Sequence, residues 1–158
     1  GMNQWQMLAD FARAGDFDAF LLAGRYTLLE QESLQELLPL CSEKKIRIVI
    51  GGPYNSGILA TGAVEDAMYN YAPAPAPILE RVRGIEAVCS RHEVPLQAAA
   101  LQFPFGHPAV ATVIPGARSP AEIMGNVRNL EFAIPIDFWT ELKQQGLIDA
   151  VAPIPAGE

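Results

Sequence analysis

Cysteine and histidine are scarce in this sequence, which contains two of each among its 158 residues. Two cysteines cannot build the disulfide framework of a small secreted domain, and two histidines leave no spaced set of metal ligands. Cys41 and Cys89 each fall within a predicted helix. We therefore expect two free, buried thiols, no metal site and a reducing compartment.

Positive charge and long apolar runs are also missing. Eleven Lys and Arg stand against 18 Asp and Glu, giving a formal net charge of −7 and a pI of about 4.8. A nucleic-acid or anionic-membrane partner would require a basic face on the protein, and the net negative charge argues against such a partner. No apolar run approaches the ~20 residues of a membrane-spanning helix, and no signal-peptide pattern is present. We expect a cytoplasmic protein with neither a nucleic-acid nor a membrane partner.

Apolar residues are abundant: they make up 50% of the chain, and the mean hydropathy is +0.15. A chain of this length and composition has ample apolar surface for one core. We expect a single domain over residues 1–150. The tail at 151–158 is rich in proline and alanine and is expected to fray.

Apolar and β-branched runs predict three strands, at about residues 17–23, 46–51 and 110–114. Apolar residues at helical spacing predict six helices: 5–14, 33–45, 78–92, 95–103, 120–129 and 137–146. Gly15 is expected to stop the first helix and Asp137 to cap the last, while residues 51–76 are expected to be irregular. The alternation indicates an α/β fold with right-handed crossovers, although three strands are too few for a closed eight-stranded barrel.

The stretch from residue 113 to 126 carries the most specific pattern. A β-branched strand ends in Pro115-Gly116, and Ser119 before Pro120 has the arrangement of an N-cap and a first helical position. Three polar side chains recur at a spacing of four and share one helix face: Arg118, Glu122 and Asn126. The free N–H groups and dipole of such a helix start suit an anion, and the whole suits the adenosine end of a dinucleotide. An ordinary capped helix with a solvated polar face is the alternative.

With Ile114-Pro115-Gly116-Ala117-Arg118 at its turn, this stretch resembles the cofactor signature in the last βα unit of the aldo-keto reductases. Residues 48–59 resemble the penultimate strand and its loop. Residues 18–29 are similar to the sixth strand of the aldose 1-dehydrogenase (L-fucose dehydrogenase-like) branch. The resemblance runs in family order from the first residues to about residue 147. It implies the last three βα units of a (β/α)8 TIM barrel, with residues 1–3 at the end of the fifth strand, and an NAD(P)-dependent oxidoreductase.

The resemblance also implies contacts to the nicotinamide and pyrophosphate. Asn3 matches the residue that meets the nicotinamide carboxamide, although it is an equally good N-cap for the following helix. The loop that matches the pyrophosphate loop in length and glycine content comprises six residues: Gly52, Pro53, Tyr54, Asn55, Ser56 and Gly57. Gly51 replaces the aromatic ring that stacks on the nicotinamide in many members, and Ser56 stands at a commonly basic position.

At the adenosine end, Pro115 and Gly116 form the implied turn, and Arg118 matches the contact to the ribose or its 2′-phosphate. Glu122 replaces the usual Gln or Arg, and a carboxylate there accepts from a 2′-hydroxyl but repels a 2′-phosphate. Asn126 matches the adenine contact. Glu122 favours NAD over NADP in the parent site, although Arg118 favours NADP. We expect no tightly bound cofactor in this chain alone.

We assign no catalytic residue. In the family the catalytic Asp, Tyr, Lys and His lie on the first half of the barrel, which these residues do not match. Asp66 and Tyr71 have the family's spacing, but they fall in the wrong loop and lack the Gly-x-Ser-Glu that follows that Tyr. We interpret them as loop residues. His92 lies at a helix end and His107 precedes Pro108. We expect each imidazole either to cap nearby backbone groups or to be solvated.

Two functions of different classes follow. In the first, the chain is part of an NAD(P)-dependent aldo-keto reductase that oxidises an aldose to its lactone, or oxidises another carbonyl-type substrate. This chain alone is then expected to be inactive. In the second, it is a short non-catalytic protein that self-associates and binds nucleotide weakly at most. A sheet cut from a barrel leaves an open apolar face, which we expect a homodimer or higher homo-oligomer to cover. The alternative is a monomer whose 51–76 segment folds across that face.

Overall fold

The computed structural model describes residues 1–155, which contain five strands: β1 (Ala19–Ala23), β2 (Arg47–Gly51), β3 (Met68–Tyr69), β4 (Ala72–Pro73) and β5 (Val110–Ile114). β1, β2 and β5 form a parallel sheet in that order, with Phe20 opposite Ile48 and Ile50 opposite Val113. The three predicted strands and the α/β fold are thereby confirmed. β3 and β4 form an antiparallel hairpin inside the segment predicted to be irregular.

The same residues contain seven α-helices: α1 (Trp5–Ala14), α2 (Leu37–Lys44), α3 (Ile58–Thr61), α4 (Ala76–Arg91), α5 (Leu96–Gln102), α6 (Pro120–Leu130) and α7 (Ile136–Gln144). The six predicted helices are all present, and α3 is an additional single turn. Cys41 lies in α2 and Cys89 in α4, and both are buried free thiols, as expected. No helix in this part of the chain is long and apolar enough to cross a membrane.

Two predicted helix starts are wrong. The helix predicted from Ser33 is broken at Glu36, whose φ of −149° is not helical, and a 3-10 turn precedes the break. Ser33 is buried and its hydroxyl donates to the carbonyl of Arg25 at 2.9 Å, and Pro39 in the first turn of α2 has no N–H with which to continue the helix back to Ser33. Pro135 occupies the N-cap position of α7, and Asp137 lies inside the first turn rather than capping it.

One face of the central sheet is buried and the other is open. The buried residues join the core formed with the helices: Phe20, Leu22, Ile48, Ile50 and Val110. On the opposite face, Leu21 is 37% exposed and Ile114 is 51% exposed. The segment at 51–76 therefore does not seal this face, and the alternative in which it does so is wrong for this structure.

Residues 1–3 occupy a fourth position in the sheet. Met2 pairs in parallel with Leu22: its N–H donates to Leu21 and its carbonyl accepts from the N–H of Ala23, both at 3.0 Å. This segment, β1, β2 and β5 are each followed by helix. The chain thus forms four successive βα units.

The start of the tail is packed rather than frayed. Ala152 is buried, and a Cβ at Gly106 would lie 2.4 Å from the carbonyl oxygen of Pro153, so backbone meets backbone closely there. The expectation of fraying is wrong for these residues. Residues 156–158 of the predicted tail lie outside the described part of the chain.

Candidate functional site

The predicted cofactor residues lie at the carboxyl ends of the parallel strands. Residues 52–57 follow β2, residues 115–118 follow β5, and Asn3 follows the Met2 bridge. In a parallel α/β sheet this is the edge where ligands bind, because the loops that leave neighbouring strands converge there.

The loop at 52–57 has an unusual backbone. Four of its residues have positive φ, namely Gly52 at 61°, Asn55 at 46°, Ser56 at 60° and Gly57 at 101°. Successive turns of this kind aim backbone N–H groups into a concavity that accepts an anion. A Cβ placed on Gly57 would meet nothing within 4 Å, so the backbone there is open to close approach.

Asn55 braces this loop from inside. It is buried, its side-chain oxygen accepts from the Thr27 hydroxyl at 2.6 Å, and its amide donates to the carbonyl of Gly24 at 3.4 Å. The Thr27 hydroxyl also accepts from the N–H groups of Leu29 and Glu30. The loops after β1 and β2 are therefore held together by two hydrogen bonds of one buried side chain. The sequence analysis missed Thr27 because its partner lies 28 residues away.

The remaining side chains of the loop differ in exposure. Pro53 is buried, whereas Ser56 is exposed and its hydroxyl accepts from the N–H of Tyr71 at 3.1 Å. Tyr71 lies at the tip of the β3–β4 hairpin, and Asp66 lies in the loop before it, so both are loop residues.

Helix α6 begins as predicted. The Ser119 hydroxyl accepts from the N–H of Glu122 at 3.2 Å, which makes Ser119 the N-cap. The Glu122 carboxylate accepts from the N–H of Arg118 at 2.7 Å and pairs with its guanidinium at 3.3 Å. These contacts, the backbone one first, hold the pKa of Glu122 below its ordinary value. The Arg118 side chain is 92% exposed, and a Cβ on Gly116 would meet nothing within 4 Å.

A single hydrogen bond joins the two predicted halves of the site. The Tyr54 hydroxyl donates to the side-chain oxygen of Asn126 at 2.7 Å, across 72 residues of sequence. Burial raises the pKa of Tyr54 to about 12, so its hydroxyl stays protonated and keeps its role as donor. The loop after β2 and the helix after β5 are thereby held next to each other.

Asn3 lies at the other side of this edge. It is exposed and borders a polar cavity of about 540 Å³ that Arg25, Glu30, Tyr69 and Asn70 also line. The N-cap position of α1 is Gln4 and no side chain caps the helix, so the capping alternative for Asn3 is wrong.

The polar cavity has its own network, which the sequence analysis did not find. Arg25 pairs with Glu30 at 3.0 Å and donates to Asn70 at 3.1 Å, and the Tyr69 hydroxyl donates to Glu30. Burial, and then the hydrogen bond to Glu30, raise the pKa of Tyr69 to about 12. The network forms because the β3–β4 hairpin packs against the loop after β1, and no local sequence pattern predicts that contact.

The histidines have structural surroundings. His92 follows α4, and its ring nitrogen lies 2.6 Å from a Glu141 carboxylate oxygen. His107 is buried and its ring accepts from the N–H of Ala109, the capping role that was expected; burial lowers its pKa. Within residues 1–155, no three His, Cys, Asp or Glu side chains are grouped so as to hold a metal ion.

Comparison with known proteins gives a consistent result. The sequence profile of the "Aldo/keto reductase family" matches residues 2–146. The chain is 45% identical over 148 residues to a pyridoxal 4-dehydrogenase of Microbacterium luteolum, covering 94% of this chain and 43% of that protein. It is 40% identical over 137 residues to a D-threo-aldose 1-dehydrogenase of Pseudomonas sp, covering 86% of this chain and 42% of that protein.

A solved structure shows the same fold. The holo form of an aldo-keto reductase from Bacillus halodurans superposes on 96% of this chain with a TM-score of 0.66 at 21% identity. That superposition covers 49% of the Bacillus chain. The present chain thus spans about half, or somewhat less, of the proteins that it matches.

Proposed function

The chain belongs to the aldo/keto reductase family, and on that premise we propose that residues 52–57 and 115–126 bind the pyrophosphate and adenosine of a nicotinamide cofactor. The observation that carries this proposal is the hydrogen bond from Tyr54 to Asn126. It unites two segments that the family signature treats separately.

The residues fit such a cofactor. The loop from Gly52 to Gly57, four of whose residues have positive φ, curves around the place proposed for a pyrophosphate, and the open space over Gly57 and Gly116 leaves room for it. The amino end of α6 adds the positive end of a helix dipole. The Asn55 side chain bonds to Thr27 and its N–H donates to the carbonyl of Gly52 at 3.2 Å, so we assign Asn55 to shaping the loop and Ser56 to contacting the phosphates.

Different parts of the adenosine are assigned to Arg118, Glu122 and Asn126. Asn126 accepts from Tyr54 through its oxygen, which leaves its amide N–H groups free to donate to the adenine. Glu122 is held ionised and accepts from a ribose 2′-hydroxyl, while Arg118 stacks on the base or pairs with phosphate. The carboxylate favours NAD over NADP. Asn3 is assigned to the nicotinamide carboxamide.

The whole protein's activity is proposed to be oxidation of an aldose, or a related carbonyl-type substrate, in the cytoplasm. The cofactor supplies the hydride acceptor. The 40% identity to a D-threo-aldose 1-dehydrogenase supports the sugar, and the 45% identity to a pyridoxal 4-dehydrogenase supports the wider class. The polar cavity beside Asn3 has the lining that a hydroxyl-rich substrate needs.

Calorimetry with the purified chain tests the nucleotide site. We expect NAD to bind no tighter than sub-millimolar, roughly −4 kcal/mol or a little more favourable, because loops absent from these residues would normally preorganise the site. Asn126→Ala should abolish the measurable binding. Arg128→Ala, on the same helix, is the matched control and should leave it unchanged. Low-micromolar affinity, or equal affinities for both variants, would contradict the proposed site.

A second function is favoured by the open face of the sheet. Leu21 and Ile114 lie exposed there, so we propose that the chain also self-associates as a homodimer or higher homo-oligomer. In the alternative function this association, with weak nucleotide binding at most, is all that the short protein does. Light scattering at micromolar concentration tests it, and a monodisperse species of 17.1 kDa would contradict self-association.

A further inference from the structure

Gln31 is a buried amide that lies outside both proposed cofactor segments, and its side chain is bonded at both ends. Only 7% of the residue is exposed. Its amide nitrogen donates to the carbonyl of Thr27 at 2.7 Å. Its side-chain oxygen accepts from the N–H of Asp149 at 3.0 Å and from the Arg81 guanidinium at 3.3 Å. The amide therefore has one fixed orientation, because turning it over would set donors against donors.

The oxygen end of Gln31 holds the segment that follows α7. Asp149 belongs to that segment, and Arg81 on α4 reinforces the contact. The Arg81 guanidinium donates to the carbonyl of Leu147 at 2.7 and 2.9 Å and to the carbonyl of Leu29 at 3.0 Å. The loop after β1 and the segment after α7 are thus fastened to the same two side chains, although 118 residues separate Gln31 from Asp149.

The nitrogen end of Gln31 fixes the peptide of Thr27. The Thr27 carbonyl also accepts from the N–H of Glu30 at 3.2 Å, and the N–H of Thr27 donates to the carbonyl of Glu30 at 2.8 Å. The turn is thereby closed on itself, and Gln31 anchors it to the surrounding protein. Thr27 in turn directs its hydroxyl to Asn55, whose side chain shapes the loop at 52–57.

Resting on the proposed cofactor site, we infer that Gln31 is a positioning residue for the loop at 52–57. Through Thr27 and Asn55 it ties that loop to the segment after α7, while Ser56 is the residue assigned to the phosphates. A loop that is held in its bound shape loses less conformational entropy when the ligand arrives. The affinity for the cofactor then depends on a side chain whose own bonds stay within the protein.

Two substitutions separate the two ends of this side chain. Gln31→Met is similar in length and removes the bonds at both ends. Gln31→Glu retains an acceptor for Asp149 and Arg81 but loses the N–H that donates to Thr27, and its carboxylate repels that carbonyl. The first variant therefore frees both segments, whereas the second frees only the turn that leads to Asn55.

Amide exchange at two reporter N–H groups, those of Asn55 and Asp149, distinguishes these effects. The Asn55 N–H should exchange about fivefold faster in both variants, the equivalent of one net hydrogen bond. The Asp149 N–H should exchange faster in Gln31→Met alone. Circular dichroism checks folding, and should Gln31→Met fail to fold, the exchange at Asn55 in Gln31→Glu decides the matter.

Arg47→Met is the matched control, because it also places methionine where a side chain joins two distant segments. Arg47 donates to the carbonyls of Pro108 at 3.0 Å and Val110 at 3.3 Å. It stands at the amino end of β2, whereas the loop at 52–57 follows the carboxyl end of that strand. This variant should leave both reporter N–H groups unchanged.

The affinity for NAD is the readout that a purely structural role would not move. In an NMR titration, the dissociation constant of NAD should rise by up to about fivefold in both Gln31 variants and stay unchanged in Arg47→Met. AMP, which lacks the pyrophosphate, should bind all of these variants equally at residues 115–126, because Gln31 acts on the other segment.

The possible failures are distinguishable. Exchange at Asn55 that is unchanged in both Gln31 variants, or equally fast in Arg47→Met, would overturn the positioning role. Faster exchange at Asn55 with an unchanged affinity for NAD would overturn it too, since the shape of the loop would then not govern binding. A wild-type chain that binds no NAD would instead overturn the proposed cofactor site itself, and with it the part of Gln31 in binding.

Discussion

Asn55 illustrates how a residue predicted to meet the cofactor can serve the fold first. Its φ of 46° is tolerated by asparagine better than by most residues, and its buried carboxamide holds Thr27 and Gly24. The loop after β2 owes its shape to this side chain. The backbone N–H groups of the loop are thereby fixed in advance of any anion.

Removing the hydrogen bonds of Asn55 should destabilise the fold. We expect Asn55→Ala to lower the free energy of unfolding by about 1–3 kcal/mol, because the buried Thr27 hydroxyl loses its acceptor. Asn70→Ala is the matched control, since Asn70 also has a positive φ but is exposed and loses only an exposed hydrogen bond from Arg25. Urea unfolding measures both. Equal losses for the two variants would show that left-handed backbone strain, and not the buried bond, sets the cost.

The charge of Glu122 sets the cofactor preference that we propose. We expect Glu122→Gln to improve binding of NADP relative to NAD by up to about fivefold, the scale of one exposed charge–charge contact. The effect should fade in high salt, because exposed charges are screened. Competition calorimetry with the two cofactors gives the ratio. An unchanged ratio would place the 2′-phosphate away from this carboxylate.

Among the elements, those with local causes could be predicted from the sequence. The first strand follows from a continuous apolar run and the other two from β-branched runs, and Ser119 with Pro120 fixes the start of α6. The break at Glu36 has a local cause that the predicted helix overlooked, because Pro39 has no N–H to donate to the carbonyl of Gln35. The bond between Tyr54 and Asn126, in contrast, could not be predicted, because it exists only where β2 and β5 are neighbours in the sheet.

The Ser119 cap makes a prediction about α6 as an element. This helix buries no side chain, so its ends depend on capping more than those of the core helices do. We expect Ser119→Ala to cost about 1 kcal/mol and to speed amide exchange in the first turn of α6. Ser90→Ala, in the last turn of α4, should change neither. Unaltered exchange at Glu122 would show that the cap bond contributes little.

At the scale of the whole molecule, the chain has a closed core on one side of its sheet and an open apolar face on the other. The loops proposed to bind the cofactor all lie at the carboxyl edge of that sheet. The fold positions residues 52–57 and 115–126, while the strands that bear the family's catalytic groups are not matched by these residues. We therefore expect nucleotide binding to be separable from catalysis.

We accordingly expect the 158-residue chain to show no turnover of L-fucose or D-arabinose with NAD or NADP. Without a positioned group and its lysine to take the proton of the sugar hydroxyl, loss of hydride leaves a positively charged oxygen. Absorbance of the reduced nicotinamide follows the reaction. Turnover that a substitution within this chain abolishes would show that it carries catalytic groups of its own.

The most direct test of the nucleotide site is a titration of the isotope-labelled chain with NAD, followed residue by residue through its amide NMR signals. Shifts should concentrate in residues 52–57 and 115–126, with the signals of Tyr54 and Asn126 moving together along one binding curve. AMP should reproduce the shifts of residues 115–126 and leave the 52–57 loop less affected. Shifts scattered over the surface, or confined to the cavity beside Arg25 and Asn70, would contradict the assignment of these two segments as one cofactor site.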